Sequence, residues 1–455
     1  MTSRRQQPRD PARAAALDVL AGTRVRDAYT NLLLPSVLAR YGLTGRDAGL
    51  VTELAAGTLR MRGLYDAVLA TRINRPLESL DADVLDVLRL GCHQLLSMRI
   101  PSHAAVSTSV ELIRERMGPR PTGLVNAVLR KVAQRDLDGW VRDAAPRVEQ
   151  DPHGHLCVAH SHPRWIVDEL AQALDADTEL PALLGADNRV GAATLVARPG
   201  RADVGELLAA GARRGSLSPY AVHLQTGNPG DVPAVREGRA GVQDEGSQVV
   251  ALLAAAVPVG GRDQRWLDLC AGPGGKAALL GALAAGRGAT LTANESQPHR
   301  AALVERAVAG LPAVTVVVAD GRTPPWEPGS YDRVLLDAPC TGLGALRRRP
   351  ESRWRRSAAD LDDLVPLQRD LLRAALDSVR PGGVVVYATC SPVLRETTGV
   401  LEQVLAERTD VQVVDVRSIP GGLIPEDAVR GRYLQLWPHR HGTDAMFAAV
   451  LRRTG

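Results

Sequence analysis

The 455-residue sequence predicts three parts in series: an all-α helical bundle over residues 1–140, a small α+β subdomain over 155–240, and an α/β domain with a mainly parallel sheet over 241–455. Three observations carry this. Apolar residues recur at three- and four-residue steps through the first part, which is the spacing of one helical face. Two short apolar runs flank one helical stretch in the second. Five apolar runs of strand length alternate with helical stretches in the third, the pattern of a sheet covered by helices on both sides. A chain this long also exceeds what one hydrophobic core commonly serves.

In the first part, DADVLDVLRLGCHQLLSM places Val84, Leu85, Leu88, Cys92, Leu95 and Leu96 on one face, so Cys92 is expected in the core. Leu50, Val51, Leu54 and Leu59 make a similar face, as do Leu124, Val125, Val128 and Leu129. RINRP and GPRPTG supply the proline and glycine that separate helices. DPHGHLCVAHSHPRW, residues 151–165, groups His153, His155, Cys157, His160 and His162. The ligand types suit a metal, but a second half-site at recurrent spacing is lacking, and Pro163 more simply opens a helix carrying Trp165, Ile166 and Leu170; no metal is expected. ATLVARPG and YAVHLQTG then read as strands around the helical ADVGELLAAG. In the third part the strands are RWLDLC, TLTANE, TVVVAD, RVLLDAP and VVVYATC. Right-handed crossovers would bring their C-terminal ends to one sheet edge, where open α/β sheets bind ligands.

Composition narrows the function classes. Hydrophobic residues make up 45% of the chain, enough for several cores, yet none of the apolar runs is an uninterrupted span of the ~18 residues a membrane helix needs. No apolar segment follows the N-terminal MTSRRQQPRD to make a secretory signal. A cytoplasmic protein without a membrane partner is expected. The five cysteines, 92, 157, 270, 340 and 390, are odd in number and scattered, which argues against a disulfide framework and leaves thiols for chemistry. A net charge of +4 permits a polyanionic partner. Of 55 basic residues only Lys131 and Lys276 are lysines. RRRPESRWRR, Arg347 to Arg356, holds six arginines and a tryptophan; it reads either as a solvated face or as a grip on a phosphate backbone.

The first strand of the third part runs into LDLCAGPGGKAAL. Asp268 and Cys270 close the strand, and Gly272, Gly274 and Gly275 allow a tight turn that a ligand can approach. The pattern matches neither the dinucleotide fingerprint nor the P-loop. Glu295 ends the second strand 20 residues after Gly275, where an acid accepts from ribose hydroxyls, and Asp320 ends the third, where it can lie beside an adenine. Either acid could equally be a helix cap. A nucleoside with free ribose hydroxyls and no pyrophosphate fits, and S-adenosylmethionine is one.

The fourth strand ends DAPCTG and the fifth ATCSP, which puts Cys340 and Cys390 at neighbouring positions on that edge. The bland reading of Cys390 is a small buried hydrophobe. The alternative is a nucleophile. Carbon 5 of cytosine is too electron-poor to attack a methyl sulfonium, but a thiolate added at carbon 6 makes the ring enamine-like and carbon 5 nucleophilic.

LVTELAAGTLR, RLGCHQLLSMRIPSHAAVSTSVELI and TGLVNAVLRK resemble the helical RNA-binding domain of the NusB family, over most of residues 8–135. CAGPGGK, DAPCTG, ATCSP and the trailing LQLWPHRHGTDAMF resemble the Nol1/Nop2/Sun family of RNA cytosine-C5 methyltransferases. The resemblance implies a Rossmann-like class I methyltransferase domain, with 16S ribosomal RNA as partner through the NusB-like part. Carried over by position, it implies that Cys390 is the nucleophile, that Cys340 assists breakdown of the adduct, and that Asp337 bonds the target cytosine. Cys270, Ala271, Gly272, Pro273, Gly274, Gly275, Lys276, Glu295, Asp320 and Asp337 would surround the cofactor. Where the family has TDGFF, this chain has TDAMF at 443–447, which bears on the local loop. The rival readings are the same chemistry on transfer RNA and a non-catalytic RNA-binding assembly factor.

Overall fold

The computed structural model describes residues 8–26 and 29–455; the first seven residues of the MTSRRQQPRD terminus lie outside them. The chain forms two compact units. One comprises the chain up to Ala171 with Ala176–Asn188 and Arg348–Arg356; the other comprises Gln172–Asp175, Arg189–Arg347 and Ser357–Gly455.

The first unit is helical. Its helices include Pro11–Arg26, Gly45–Arg60, Arg62–Ala70, Ala82–Leu96, Ser102–Met117 and Thr122–Val132. The Asp81 carboxylate accepts from the Asp83 amide and so caps the helix Ala82–Leu96. One core gathers Leu17, Leu54, Tyr65, Leu88, Leu129 and Trp140, and Cys92 is fully buried in it as expected. Glycine allows the closest approaches: a Cβ on Gly91 would come within 2.5 Å of Leu129, and one on Gly57 within 2.3 Å of His93. Among the described residues no helix is long and apolar enough to cross a membrane.

Part of the arginine run belongs inside this unit. Arg353 is 0% exposed. It donates to the carbonyls of Arg60, Ser161 and Asp187 and to Asn188 Oδ1, at 2.7–3.1 Å. Trp354 Nε1 donates to Leu59 O at 2.6 Å, and the Arg62 guanidinium lies over its ring. Arg347, in the second unit, donates to Gly442 O at 2.6 Å and to Asp244 at 3.2 Å. Arg347 and Arg353 therefore fit neither reading of the run, solvated face or phosphate grip, since their donors are turned inward. Their acceptors are far away in sequence, so a local charge count cannot reveal them.

The second unit holds two sheets. In the smaller, β1 (Ala193–Ala197), β2 (Ala212–Arg214), β3 (Ala221–Leu224) and β4 (Ala240–Val242) run antiparallel in the order β2-β3-β1-β4. The larger is built on β5 (Arg265–Asp268), β6 (Thr290–Asn294), β7 (Val314–Val317), β8 (Tyr331–Asp337) and β9 (Val379–Thr389). These five are parallel, in the order β9-β8-β5-β6-β7. The order reverses between β5 and β8, and such a switch point opens a crevice at the strands' C-terminal ends. Four further strands extend the sheet beyond β9: β10 (Val411–Val414), β11 (Val429–Arg430), β12 (Tyr433–Gln435) and β13 (Phe447–Arg453). β13 runs antiparallel to β9 and pairs with β10 and β12. Its first residue, Phe447, closes the TDAMF segment and stands opposite Thr389, next to Cys390.

Truncating Arg353 would leave several buried carbonyls without donors. Arg353→Ala is expected to lower the stability of the chain by about 3–5 kcal/mol, read from urea or thermal unfolding. A loss below about 1 kcal/mol, the range of exposed ion pairs, would contradict the inward assignment.

Candidate active site

The candidate site stands at the switch point, and the turn after β5 forms its floor. Gly274 has φ +106°, and a Cβ there would meet Ala307 at 2.5 Å. A Cβ on Gly272 would meet Glu295 Oε2 at 2.1 Å. Only glycine allows this turn so close to the neighbouring strand end. The turn is tied down by the Ala271 amide, which donates to Asn294 O at 2.8 Å, and by Asn294 Nδ2, which donates to Leu269 O and Ala319 O. The helix Gly275–Ala285 starts at once and aims its first amides back at the turn.

Two acids adjoin this turn and a third lies further out. Glu295 directly follows β6 and is 4% exposed; its Oε1 accepts from the Gln297 amide at 3.0 Å, and its Oε2 lies 3.4 Å from Arg300. Asp268, the last residue of β5, is 0% exposed, and neither carboxylate oxygen has a hydrogen-bond partner. Burial, and next the charge of Asp337, push its pKa up to about 8; the Lys276 ammonium pulls the other way. Asp320 lies three residues past β7 and is well exposed, with both oxygens held by Arg322 at 2.6–3.1 Å. That pairing holds its carboxyl below the usual range.

On the other side of the switch, β8 ends on Asp337 and β9 on Thr389, with Asp337 opposite Ala388 in register. The chain leaves both strands directly into the two thiols. Cys340 Sγ and Cys390 Sγ are 3.4 Å apart. The contact with Cys390, and then burial, push the Cys340 thiol well above its ordinary pKa. Lys276 Nζ donates to Asp337 Oδ2 at 2.8 Å; burial opposes its charge, but Asp337, together with nearby Cys390 and Asp268, raises its pKa overall. Asp337 Oδ1 is buried with no partner. Cys270 is packed beneath the site, and burial pushes its thiol well up, away from reactivity.

Cys270 to Lys276, Glu295, Asp337, Cys340 and Cys390 thus come to one sheet edge, while Asp320 lies further out, engaged by Arg322. Sequence reasoning passed over a buried polar group behind the thiols, formed by Thr341, Gln368, Ser391 and Glu396. No motif spacing marks it; a serine or threonine after each cysteine is the only hint. The histidines of 151–165 turn to separate partners: His153 to Asp168, His155 to Pro146 O and His162 to His160 O. Among the described residues no group of three or more His, Cys, Asp or Glu side chains could hold a metal ion.

The donor set fits a ligand with hydroxyls to give and a positive charge to place. Glu295 Oε2 faces the glycine cradle, and Asp268, the last residue of β5, is buried near enough to feel the charge of Glu295. Beside that ligand stand an unused acceptor on Asp337 and two thiols in contact, a set suited to nucleophilic chemistry on a planar amine-bearing ring.

The family description "16S rRNA methyltransferase RsmB/F" matches residues 259–452, and that of the NusB family matches residues 10–134. The ribosomal RNA small subunit methyltransferase B of Pseudomonas syringae pv. tomato is 33% identical over 450 residues, covering 96% of each chain. That of Xanthomonas campestris pv. campestris is also 33% identical, covering 97% of this chain and 96% of its own. A Mycobacterium tuberculosis protein, whose name goes no further than methyltransferase, is 52% identical over 99% of this chain and 98% of its own. The crystal structure of PH0851 matches the fold with a TM-score of 0.80 at 22% identity, covering 98% of this chain and 99% of that one.

Asp268 gives a test of the site's electrostatics. Its folded pKa lies above the unfolded value near 4, so between about pH 4 and 8 the folded state binds more protons and stability falls as pH rises. Asp268→Asn should remove that contribution, flattening the loss, measured by denaturant titration across the window. An unchanged slope would show that the carboxyl titrates normally.

Proposed function

The chain belongs to the 16S rRNA methyltransferase RsmB/F family, and from that premise we propose that it transfers a methyl group from S-adenosylmethionine to carbon 5 of a cytosine in 16S ribosomal RNA, through a covalent adduct of Cys390 at carbon 6. The observation that carries the covalent step is the contact of Cys340 and Cys390 at 3.4 Å on the edge where β8 and β9 end.

Cys390 is the nucleophile. Its partner Cys340 keeps a proton, and Lys276 is close enough for its charge to be felt by the Cys390 sulfur, which favours a thiolate there. As the bond from Cys390 Sγ to carbon 6 forms, the ring's C5–C6 π pair moves to carbon 5. Asp337 Oδ2 is held by Lys276, which leaves Oδ1 to accept from the exocyclic amine of cytosine and orient the ring. S-adenosylmethionine, when bound, supplies the electrophilic methyl group. Glu295 would accept from its ribose hydroxyls, the turn Cys270–Lys276 would hold it, and Asp320 would take the adenine side. After transfer the carbon 5 proton passes to water, its bonding pair re-forms the C5–C6 double bond, and the carbon 6–sulfur bond breaks with its pair going to sulfur, which returns the Cys390 thiolate. Cys340, beside that bond, assists its breakage. Residues 1–140 act as the RNA-binding part, 155–240 as the connecting subdomain and 241–455 as the catalytic domain.

Cys390→Ala should abolish transfer while both substrates still bind, because the ring is never activated. Cys340→Ala should accumulate an RNA adduct that survives denaturing electrophoresis, and adding Cys390→Ala should erase it. An adduct that depends on Cys340 would reverse the two roles. Glu295→Ala should raise the S-adenosylmethionine Kd about tenfold or more, read by calorimetry; an unchanged Kd would remove Glu295 from the cofactor site. Bisulfite mapping in a deletion strain tests the substrate, with loss of one 16S signal expected. Loss of a transfer RNA signal would move the substrate, and no loss would support an assembly factor.

A further inference from the structure

A parallel strand pair fixes its ladder, not the loops beyond it. The last β8–β9 ties are the Asp337–Ala388 register and the Ala338 amide donating to Ala388 O at 2.8 Å. Both thiols lie past that point, so their separation needs another cause.

Behind them lies a carboxylate with 0% exposure. Glu396 Oε1 accepts from the Thr341 amide at 2.7 Å and from Gln368 Nε2 at 3.0 Å, and Oε2 accepts from the Thr341 hydroxyl at 2.5 Å. The Thr341 proton is thereby committed. The contact of Thr341 Oγ1 with Ser391 Oγ at 3.1 Å must then be made with the Ser391 proton, so a directed relay runs Ser391 to Thr341 to Glu396. Thr341 follows Cys340, and Ser391 follows Cys390. Glu396 is itself pinned to β9, since the Tyr387 hydroxyl donates to Glu396 O at 2.6 Å. Gln368 also donates to Pro339 O at 2.8 Å, on the other side of Cys340. All these donors are neutral. Burying a carboxylate among them is costly, and two hydrocarbon side chains would close the space more cheaply. What the carboxylate adds is several acceptor positions on one rigid group, which lock both loops at once.

We propose that Glu396 is a positioning residue, which sets the Cys340–Cys390 geometry through the Thr341–Ser391 hydroxyl pair and thereby the release of the covalent adduct. The release half rests on the two-thiol mechanism above; the geometric half does not. Loosening the lock lets Cys340 drift from the adduct bond while leaving Cys390 nucleophilic.

The test uses the full chain with Thr341→Val, Thr341→Ser and Glu396→Gln. In ligand-free protein, diamide closes a Cys340–Cys390 disulfide, taking up the two electrons and two protons released, and intact mass follows the rate. Thr341→Val and Glu396→Gln should close it about tenfold more slowly or worse. Thr341→Ser, which keeps the hydroxyl, should close at the wild-type rate. With an unmodified 16S transcript and S-adenosylmethionine, the two slow variants should accumulate adduct at an unchanged cofactor Kd. Wild-type closure in both Thr341→Val and Glu396→Gln overturns the proposal, even if one of them folds poorly and the other carries the comparison. Slow closure without adduct also overturns it where Cys340→Ala traps one. If Cys340→Ala traps none, Cys340's part in release has failed, and the closure rate alone decides the role of Glu396.

Discussion

The parallel pairing of β8 with β9 is the constraint on which the site depends. Asp337 stands opposite Ala388, so the two chains leave the sheet at the same height and on the same edge. Cys340 and Cys390, separated by 50 residues of sequence, are thereby brought to adjoining loops on that edge, where their sulfurs lie 3.4 Å apart. A shift of one residue in that register would turn every side chain of one strand to the other face. The register is held by burial on both sides: Val334, Leu335, Leu336, Val385, Val386 and Tyr387 are all at most 1% exposed. The antiparallel β13 adds a second clamp, since it pairs with β9 along most of its length and ends the ladder at Phe447 opposite Thr389. Gly344 is pressed between these parts; a Cβ there would come within 2.0 Å of Ala445 O and 2.8 Å of Cys390 O. The TDAMF segment is thus structural support for the loop that carries Cys390.

Charge is placed against that frame so that each acid has a different task. Asp337 shares one oxygen with Lys276 and keeps the other unused, while Asp268 below it is buried without a partner. Two carboxylates and one ammonium in a buried space raise one another's proton affinity or suppress it according to distance. Lys276 stays charged because Asp337 is beside it, and its charge extends to Cys390. The Cys340 thiol is pushed well above its ordinary pKa by its contact with Cys390 and by burial.

Much of this was legible before any coordinates. Alternating apolar runs and helical stretches prescribe the five parallel strands, and glycine punctuation marks the turn at Gly272–Gly275 because only glycine tolerates Gly274's φ of +106°. Cysteines at two strand ends were readable as a pair because strand ends of a parallel sheet share an edge. The antiparallel strands β10 to β13 escaped notice: β11 and β12 have two and three residues, too few for a period to show. The arginine run misled for a different reason. Arg353 has four internal acceptors drawn from three distant stretches of chain, and local charge density is silent about such partners. Asp320 was placed at a strand end, whereas β7 stops at Val317 and Arg322 reaches back to the carboxylate. Glu396 was invisible because its importance lies wholly in which hydroxyls it meets.

In the proposed mechanism Cys390, and not Cys340, bonds carbon 6 of the target cytosine. The direct measurement is to offer the wild-type enzyme 16S RNA in which cytosines carry fluorine at carbon 5, so that methyl transfer can proceed but elimination cannot, and then to map the trapped RNA by peptide mass spectrometry. The account predicts nucleotide mass on the peptide containing Cys390 and on no other. Nucleotide mass on the Cys340 peptide, or a reaction that traps nothing while the unfluorinated RNA is methylated, would contradict it.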